Sequence, residues 1–279
     1  MIVTDRLSKI YTGGNYALND LTITASKKVT SIIGRNGAGK TTLIRILSTQ
    51  LLPTGGGATV GGYDVVTDAR EIRKRIVSIP QEAAPIGILT AFEQVKMYLV
   101  GRGYSFKEAA DSANHALDLL ELRDSKHAPT DTLSGGMKRK MFVAMALAAN
   151  ADVVFLDEPT TGLDPLSRLE VWSAIRQIDS TVILTTHYME EAEQLSNEVI
   201  LIDMGRSLEQ GTPAELVSRF AGKVRVETTE RCEGCIHVGN ISIMYVDRES
   251  ADEYIDLGYT VRPVTLEDIF ISRGVEIES

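Results

Sequence analysis

The sequence has few cysteines and no long apolar run. Only two of its 279 residues are cysteines, Cys232 and Cys235, which is too few for a framework of disulfides. The first residues lack the basic start and sustained apolar run of a secretory signal. The strongest apolar stretch, residues 141–149, ends at Asn150 and falls short of the roughly eighteen apolar residues that cross a bilayer. We therefore expect a chain that does not itself span a membrane, so that any membrane role comes through a partner.

Positive charge is also scarce. The chain has 29 Lys and Arg residues against 38 Asp and Glu residues, a formal net charge of −9. A broad basic surface is what holds a protein on nucleic acid, so this balance argues against a nucleic-acid partner. The hydrophobic content of 43% is ordinary for a globular protein with a proper core.

A glycine-rich stretch carries the first chemical signal. Residues 34–42 lie between an apolar, strand-like run at 29–33 and the start of a helix at 43–47. Strand, G-x-x-x-x-G-K-T and helix in this order are typical of a P-loop, whose N–H groups converge on phosphate oxygens. An ordinary glycine-rich turn is the alternative, but the place of Lys40 and Thr41 behind a strand favours a nucleotide site. The nucleotide-binding residues predicted here are Gly34, Arg35, Asn36, Gly37, Ala38, Gly39, Lys40, Thr41 and Thr42.

The chain alternates strand-like and helical patterns over most of its length. Residues 1–25 read as paired strands, residues 53–57 as a loop before a short strand at 58–60, and residues 89–122 as a helical insertion. Later strands alternate with helices, which indicates an α/β fold with a largely parallel sheet. We place a domain boundary near 211: a nucleotide-binding domain spans 1–211, with a helical subdomain at about 82–132, and a small α+β appendage spans 212–279.

A second motif narrows the family. Residues 133–137 read Leu-Ser-Gly-Gly-Met, and with the other motifs the chain resembles the ATP-binding subunit of an ATP-binding cassette (ABC) transporter from about residue 3 to 211. Met137 stands where many members have Gln, but Met is familiar in the branch that serves export-type permeases, and residues 265–270 resemble the end of that branch. The motifs that carry the resemblance, in the family's order, are Tyr11, the P-loop, Gln81, Leu133 to Gly136, the pair Asp157-Glu158, Leu163-Asp164 and His187.

The resemblance implies a fold and a cofactor. The fold is the P-loop NTPase cassette, with a parallel core sheet, an antiparallel β subdomain and a helical subdomain. The cofactors are ATP and Mg²⁺. Metal-binding roles fall to the Thr41 hydroxyl, to Asp157 at the end of a buried strand, and to Gln81 at the end of another.

Catalytic roles follow from the same resemblance. Glu158 is placed to polarise the attacking water, His187 to reach the γ-phosphate and hold that geometry, and Gln81 to touch the metal or the water. Gln81 also begins the helical insertion, so it could couple the nucleotide state to a partner. Tyr11 would stack on adenine; a tyrosine packed at a strand end is its alternative.

The Leu-Ser-Gly-Gly motif implies a partner. Ser134, Gly135 and Gly136 form a second anion site at a helix N-terminus, which within one chain would compete with the P-loop. The family resolves this with a head-to-tail dimer, in which each ATP lies between one subunit's P-loop and the other's signature, with Asp164 at the interface. The second ATPase subunit is either an identical or a different chain. The other partner is an integral membrane permease contacted through 89–122, which implies a cytoplasmic protein peripheral on the inner face of the cell membrane.

Soluble ABC ATPases, which do not serve a membrane permease, are the alternative interpretation. DNA-repair and chromosome-structural members are rejected because no sustained heptads separate the P-loop from residue 133. An iron–sulfur assembly ATPase, whose partner is a soluble scaffold, remains an alternative. The resemblance of residues 265–270 to the end of the export-type branch argues against it. A nucleotide-binding regulator without turnover is disfavoured by the complete catalytic set.

Two further groups of residues have simpler interpretations. Lys138, Arg139 and Lys140 resemble a phosphate clamp, but we interpret them as the solvated start of a helix. Cys232, Cys235 and His237 resemble part of a metal or redox site, yet three ligands fall short of the usual zinc set, so free thiols in a turn are favoured.

Overall fold

The structure, a computed structural model, describes the backbone of residues 1–278 and the side chains of residues 1–272. The chain divides into two compact units, one of residues 1–209 and one that begins at Gln210. None of the helices in this described part is long and apolar enough to cross a bilayer.

An antiparallel sheet begins the first unit. Its order is β2-β1-β4-β5, formed by β1 (Ile2–Ile10), β2 (Tyr16–Ala25), β4 (Gly55–Val60) and β5 (Tyr63–Asp64). The predicted pairing within residues 1–25 is confirmed, but the loop predicted at 53–57 is wrong for residues 55–57, because these glycines begin strand β4. A Cβ on Gly56 would collide with the carbonyl of Arg6, so glycine permits the close approach at the irregular part of this pairing.

A six-stranded sheet forms the centre of this unit. Its order is β10-β9-β3-β8-β7-β6, and the pairs β9–β3, β3–β8, β8–β7 and β7–β6 are parallel. The predicted parallel core is therefore confirmed. Its strands are β3 (Val29–Ile33), β6 (Ile76–Ile79), β7 (Val153–Asp157), β8 (Thr181–Thr186), β9 (Glu198–Asp203) and β10 (Arg206–Gly211).

Helices surround this sheet. They are α1 (Lys40–Leu47), α2 (Ala69–Arg75), α3 (Ala91–Gly101), α4 (Phe106–Leu119), α5 (Gly135–Ala148), α6 (Pro165–Arg176) and α7 (Met189–Leu195). The sequence reading missed α6, although its start is well signalled. The Asp164 carboxylate accepts hydrogen bonds from the N–H groups of Leu166 and Ser167, and Pro165 occupies the first turn.

The core lies on both faces of the central sheet. Val154 and Leu156 of β7 pack with helices α3 to α6, whereas Val153 and Phe155 pack with α1 and the antiparallel sheet. Alternate residues of β7 are thus buried in two different cores, one on each face of the sheet. Because both faces are buried, the strand is apolar at all four of these positions. Two packed faces hold the carboxyl ends of the parallel strands at one edge, where ligands bind in such folds.

The second unit is a smaller α+β body. Its antiparallel sheet has the order β12-β13-β11-β14. The strands are β11 (Lys223–Thr228), β12 (Ile236–Val238), β13 (Ile241–Asp247) and β14 (Thr260–Pro263), and the helices are α8 (Pro213–Ser218), α9 (Ala251–Asp256) and α10 (Leu266–Glu278). Cys232 and Cys235 form a disulfide between β11 and β12, so the expectation of free thiols is wrong. Among the described residues no cluster of His, Cys, Asp and Glu could hold a metal ion.

Candidate nucleotide-binding site

A cleft of about 510 Å³ opens where the P-loop joins β3 to α1. Gly39 stands directly before α1 with a φ of 104°, and a Cβ there would collide with the carbonyl of Ala17. The glycine therefore lets the helix N-terminus open into the cleft, where its N–H groups favour an anion. The lining residues are Ala17, Asn36, Gly37, Gly39, Lys40, Thr41, Thr42, Gln81 and Glu158.

The Lys40 ammonium is the buried cation of this cleft. It donates hydrogen bonds to the carbonyl oxygens of Gly34 (2.8 Å) and Arg35 (3.1 Å), so the side chain curls back over its own loop. Its Nζ lies 3.7 Å from Oε1 of Glu158. Burial lowers the pKa of Lys40, while the charges of Glu158 and Asp157 act in the opposite direction. A phosphate in the cleft would meet a partly desolvated cation.

The Glu158 carboxylate is the centre of the predicted catalytic group. Its Oε2 accepts hydrogen bonds from Nε2 of Gln81 (3.0 Å) and from the hydroxyl of Thr161 (3.0 Å). Nδ1 of His187 lies 3.2 Å from the same oxygen, but it makes no hydrogen bond. Thus three parallel strands, β6, β7 and β8, deliver Gln81, Glu158 and His187 to one point. Thr161 was missed by the sequence reading.

The backbone of Glu158 is strained. Its φ of 50° lies in the left-handed region, which is uncommon for a residue with a side chain. The N–H of Glu158 is held by two acceptors of Thr185, the carbonyl (3.1 Å) and the hydroxyl (3.0 Å). Such conformations persist where the surroundings over-determine them, and they cluster at active sites. This strained turn aims the carboxylate into the cleft.

Oxygen donors that suit Mg²⁺ lie beside the cleft. Asp157 ends β7 as a buried carboxylate and accepts a hydrogen bond from the Thr185 hydroxyl. Thr41 and Gln81, which line the cleft, supply a hydroxyl and an amide oxygen. A hard divalent cation takes this donor set, so the residues present fit the metal implied by the sequence.

Tyr11 lies next to the first turn of α1. Its hydroxyl is 3.3 Å from the hydroxyl of Thr42, and the residue is 40% exposed. The Lys9 ammonium lies 5.7 Å from the ring centroid. Stacking on adenine stays a prediction, with the ring at the P-loop and open to solvent.

The signature residues form a separate group. Ser134 caps α5 by accepting a hydrogen bond from the N–H of Met137 (3.2 Å), and both Ser134 and Gly135 are exposed. Asp164 is exposed too, and hydrogen bonds from Ser167, together with the N–H of Leu166, lower its pKa. These residues, with Gly136, are not among those that line the cleft of their own chain. The helix start at Ser134 is therefore exposed and apart from the cleft of its own chain, and its role as a second anion site stays a prediction.

The interpretation of residues 138–140 as solvated is wrong for two of the three. The Arg139 guanidinium donates to the carbonyl oxygens of Gln81 (3.0 Å) and Glu158 (2.7 Å). Lys140 is buried and pairs with Glu170 on α6. Only tertiary packing decides which members of a basic run are exposed, so the sequence held no signal for these contacts.

Comparisons with known proteins agree with this geometry. The family model described as "ABC transporter" matches residues 18–161. The daunorubicin/doxorubicin resistance ATP-binding protein DrrA of Streptomyces peucetius is 40% identical over 227 residues, which cover 80% of this chain and 68% of that protein.

Two solved structures share the fold at similar identity. A dimeric, post-hydrolysis structure of the ATP-binding cassette MJ0796 with ADP and Pi has a TM-score of 0.70 and 25% identity, covering 76% of this chain and 98% of that one. The structure of cbiO1 from Clostridium perfringens, part of the ABC transporter complex cbiONQ, has a TM-score of 0.67 and 25% identity, covering 78% and 90%.

Proposed function

This chain belongs to the ABC transporter family, and from that premise we propose that two such subunits close on MgATP and drive a separate membrane permease of the export type. As a family member the chain is an ATP-binding subunit whose ATP hydrolysis powers a transporter. Cassettes of this family work as dimers with permease partners. The observation that carries our assignment of residues is the meeting of Lys40, Gln81, Glu158 and His187 at the P-loop cleft.

Each of these residues has a distinct task in hydrolysis. The P-loop N–H groups and Lys40 hold the β- and γ-phosphates in the cleft. Thr41, Asp157 and Gln81 would hold Mg²⁺, which offsets phosphate charge when bound. Glu158 orients the attacking water and accepts its proton, a role worth about 10² to 10⁴ in rate.

His187 and Gln81 act on the geometry of this step. Both contact the Glu158 carboxylate from neighbouring strands, so they fix the direction in which it faces the water. His187 also presents its ring at the strand end, within reach of a γ-phosphate. Tyr11, beside α1, supplies the surface for the adenine ring.

The outward-facing signature completes the site of the other subunit. Ser134, Gly135 and Gly136 bind the phosphates held by the partner's P-loop, and Asp164 lies at that contact. Support comes from the exposure of the α5 N-terminus and from its separation from the lining of its own cleft. ATP then stabilises the dimer, and hydrolysis releases it.

An apolar groove on the helical insertion is the surface for the permease. It measures about 560 Å³, and Leu89, Met97, Val100 and Phe106 contribute its apolar lining. Met97 is 58% exposed and Phe106 is 72% exposed, and because both line one groove they form an apolar patch of the kind that marks an interaction surface. A short helix of a membrane protein would fit this groove. A permease held in this groove would keep the chain at the membrane, and we infer the cytoplasmic face from the family.

Affinity purification of the full chain from membranes tests the proposal. We expect an integral permease to be recovered, and we expect Met97→Asp with Phe106→Asp to lose it while ATP binding is kept. Ile255→Asp, which charges an exposed apolar residue of the second unit, is the matched control and should retain the permease. Recovery of only a soluble scaffold would contradict the proposal and favour the iron–sulfur assembly role.

A further inference from the structure

One arginine joins three parts of the nucleotide machinery. Arg139 lies on α5, the helix that begins at the signature, and its two terminal nitrogens reach different carbonyl oxygens. Nη1 donates to Gln81 at 3.0 Å and Nη2 donates to Glu158 at 2.7 Å. The guanidinium therefore spans the ends of β6 and β7 from the side of the signature helix.

This contact completes the restraint on the strained residue Glu158. The N–H of Glu158 is held by Thr185, and its C=O is held by Arg139. With both polar groups of this residue fixed, its left-handed φ of 50° is over-determined by its neighbours. Loss of the arginine would free the carbonyl side of the turn that aims the carboxylate.

The same guanidinium joins the backbones of two residues whose side chains meet in the cleft. Nε2 of Gln81 lies 3.0 Å from Oε2 of Glu158. The backbone carbonyls of the same two residues both accept hydrogen bonds from Arg139. Burial lowers the pKa of Arg139, and the charges of Asp157 and Glu158 oppose that effect. A lysine cannot replace it, because a single ammonium lacks the planar fork that reaches two acceptors at once.

The Arg139 guanidinium moves with helix α5, because Arg139 is a residue of that helix. Arg139 follows the cap Ser134 by little more than one helical turn, and the helix is a rigid body over that length. Lys140, the next residue, pairs with Glu170 on α6 and so fastens the same turn to the helix that starts at Asp164. A shift of the signature end must therefore move the carbonyl contacts of Arg139.

We propose that Arg139 is a positioning residue that couples the seating of helix α5 on the other subunit's ATP to the hydrolytic geometry of Gln81 and Glu158 in its own subunit. The proposal rests on the proposed composite dimer. The signature at the start of α5 contacts the ATP of the partner's site, whereas Gln81 and Glu158, whose carbonyls Arg139 holds, act in the chain's own site. Arg139 would therefore link the two ATP sites through one side chain in each subunit. Cooperative hydrolysis is the expected consequence.

The test compares full-length wild type with Arg139→Met, Arg139→Lys and the control Lys138→Met. Lys138 is on the same helix, and its only described bond is a long one, 3.4 Å, to the Asp131 carbonyl. ATP affinity and stoichiometry, kcat, KM and the Hill coefficient of hydrolysis are measured for each. Expressing kcat per ATP-binding site removes any unfolded fraction from the comparison.

For Arg139→Met we expect ATP affinity within about twofold, kcat lowered at least tenfold, and a Hill coefficient that falls from above one to one. Arg139→Lys, which can reach one carbonyl, should lie between it and wild type, and Lys138→Met should match wild type. Should the methionine variant not fold, the lysine variant carries the same test with a smaller effect.

Other results would overturn the proposal. They are a kcat within twofold of wild type in the folded variant, a kcat loss explained entirely by fewer ATP-binding sites, an equal loss in Lys138→Met, or a wild-type Hill coefficient of one. Cooperative wild-type hydrolysis that survives in Arg139→Met would remove this inference and leave the ATPase assignment standing. An absence of wild-type hydrolysis would instead contradict the proposed function.

Discussion

Nζ of Lys40 lies 3.7 Å from Oε1 of Glu158, and only 5% and 8% of the two side chains are exposed. The cation that should hold the γ-phosphate and the carboxylate that should activate water thus face each other across the cleft. The arrangement puts a positive charge beside the carboxylate that should accept the proton of water. The residue that should bind the γ-phosphate and the residue that should activate water are therefore close enough to act on the same phosphate.

Lys40→Ala is expected to weaken ATP binding. The variant removes charge-assisted hydrogen bonds to phosphate, which contribute about 1.5 to 3 kcal/mol, so the loss in affinity should be about 10- to 150-fold. Isothermal titration calorimetry of the full chain measures it. Lys27→Ala, at an exposed residue between β2 and β3, should bind ATP as wild type does. Equal affinities for Lys40→Ala and wild type would contradict the P-loop role.

Glu158→Gln is expected to separate binding from hydrolysis. The amide keeps the size of the side chain but cannot accept the proton of water, so turnover should fall by about 10² to 10⁴. ATP should then hold the subunits together, and size-exclusion chromatography with ATP should show a stable dimer. Glu190→Gln, an exposed neighbour of His187 in the chain, should behave as wild type. Normal turnover in Glu158→Gln would remove the general-base assignment.

A buried carboxylate behind the site gives a prediction about pH. Glu191 is fully buried and accepts hydrogen bonds from the Thr160 hydroxyl (2.8 Å) and from Nε1 of Trp172 (3.0 Å). Burial raises its pKa above the ordinary 4.5, although hydrogen bonds from Thr186, Thr160 and Trp172 oppose the shift. The folded chain therefore binds this proton more tightly than the unfolded chain does.

The sign of the effect follows from that linkage. The stability contributed by protonated Glu191 is complete below pH 4.5 and is lost as pH rises through the higher folded pKa. Glu191→Gln keeps an acceptor oxygen but has no proton to lose. We expect its melting temperature to gain on wild type between pH 5 and pH 8. A difference that is constant with pH, or that moves the other way, would show that Glu191 does not carry a raised pKa.

The sequence predicted the site better than it predicted the helices and turns around it. Motifs at strand ends are local strings, and a parallel sheet brings its carboxyl ends to one edge, so Gln81, Glu158 and His187 could be placed together in advance. Helix α6 was missed even though Asp164 and Pro165 form a readable start. The loop predicted at residues 55–57 is wrong because glycine, which is rare in strands, here begins β4.

The rest depends on contacts between distant parts of the chain. Arg139 reaches carbonyls that are 58 and 19 residues away, and no local pattern distinguishes it from a solvated arginine. The same holds for the pairing of Cys232 with Cys235, since a C-x-x-C spacing fits thiols, a metal site and a disulfide equally well. Packing, rather than composition, decided these cases.

The most direct test of the composite site mixes two inactive variants. Lys40→Ala disables the P-loop, and Ser134→Arg blocks the exposed start of α5, so neither variant alone can form an intact site in a dimer. A mixed dimer contains one intact site, built from the P-loop of the Ser134→Arg chain and the signature of the Lys40→Ala chain. We expect the mixture to regain ATP hydrolysis that neither variant shows alone, at a lower rate per intact site than wild type, because α5 of the Ser134→Arg chain cannot seat on its partner's ATP. If mixed dimers form but no mixing ratio restores hydrolysis, then the signature of one chain does not complete the ATP site of the other. That result would contradict the composite site.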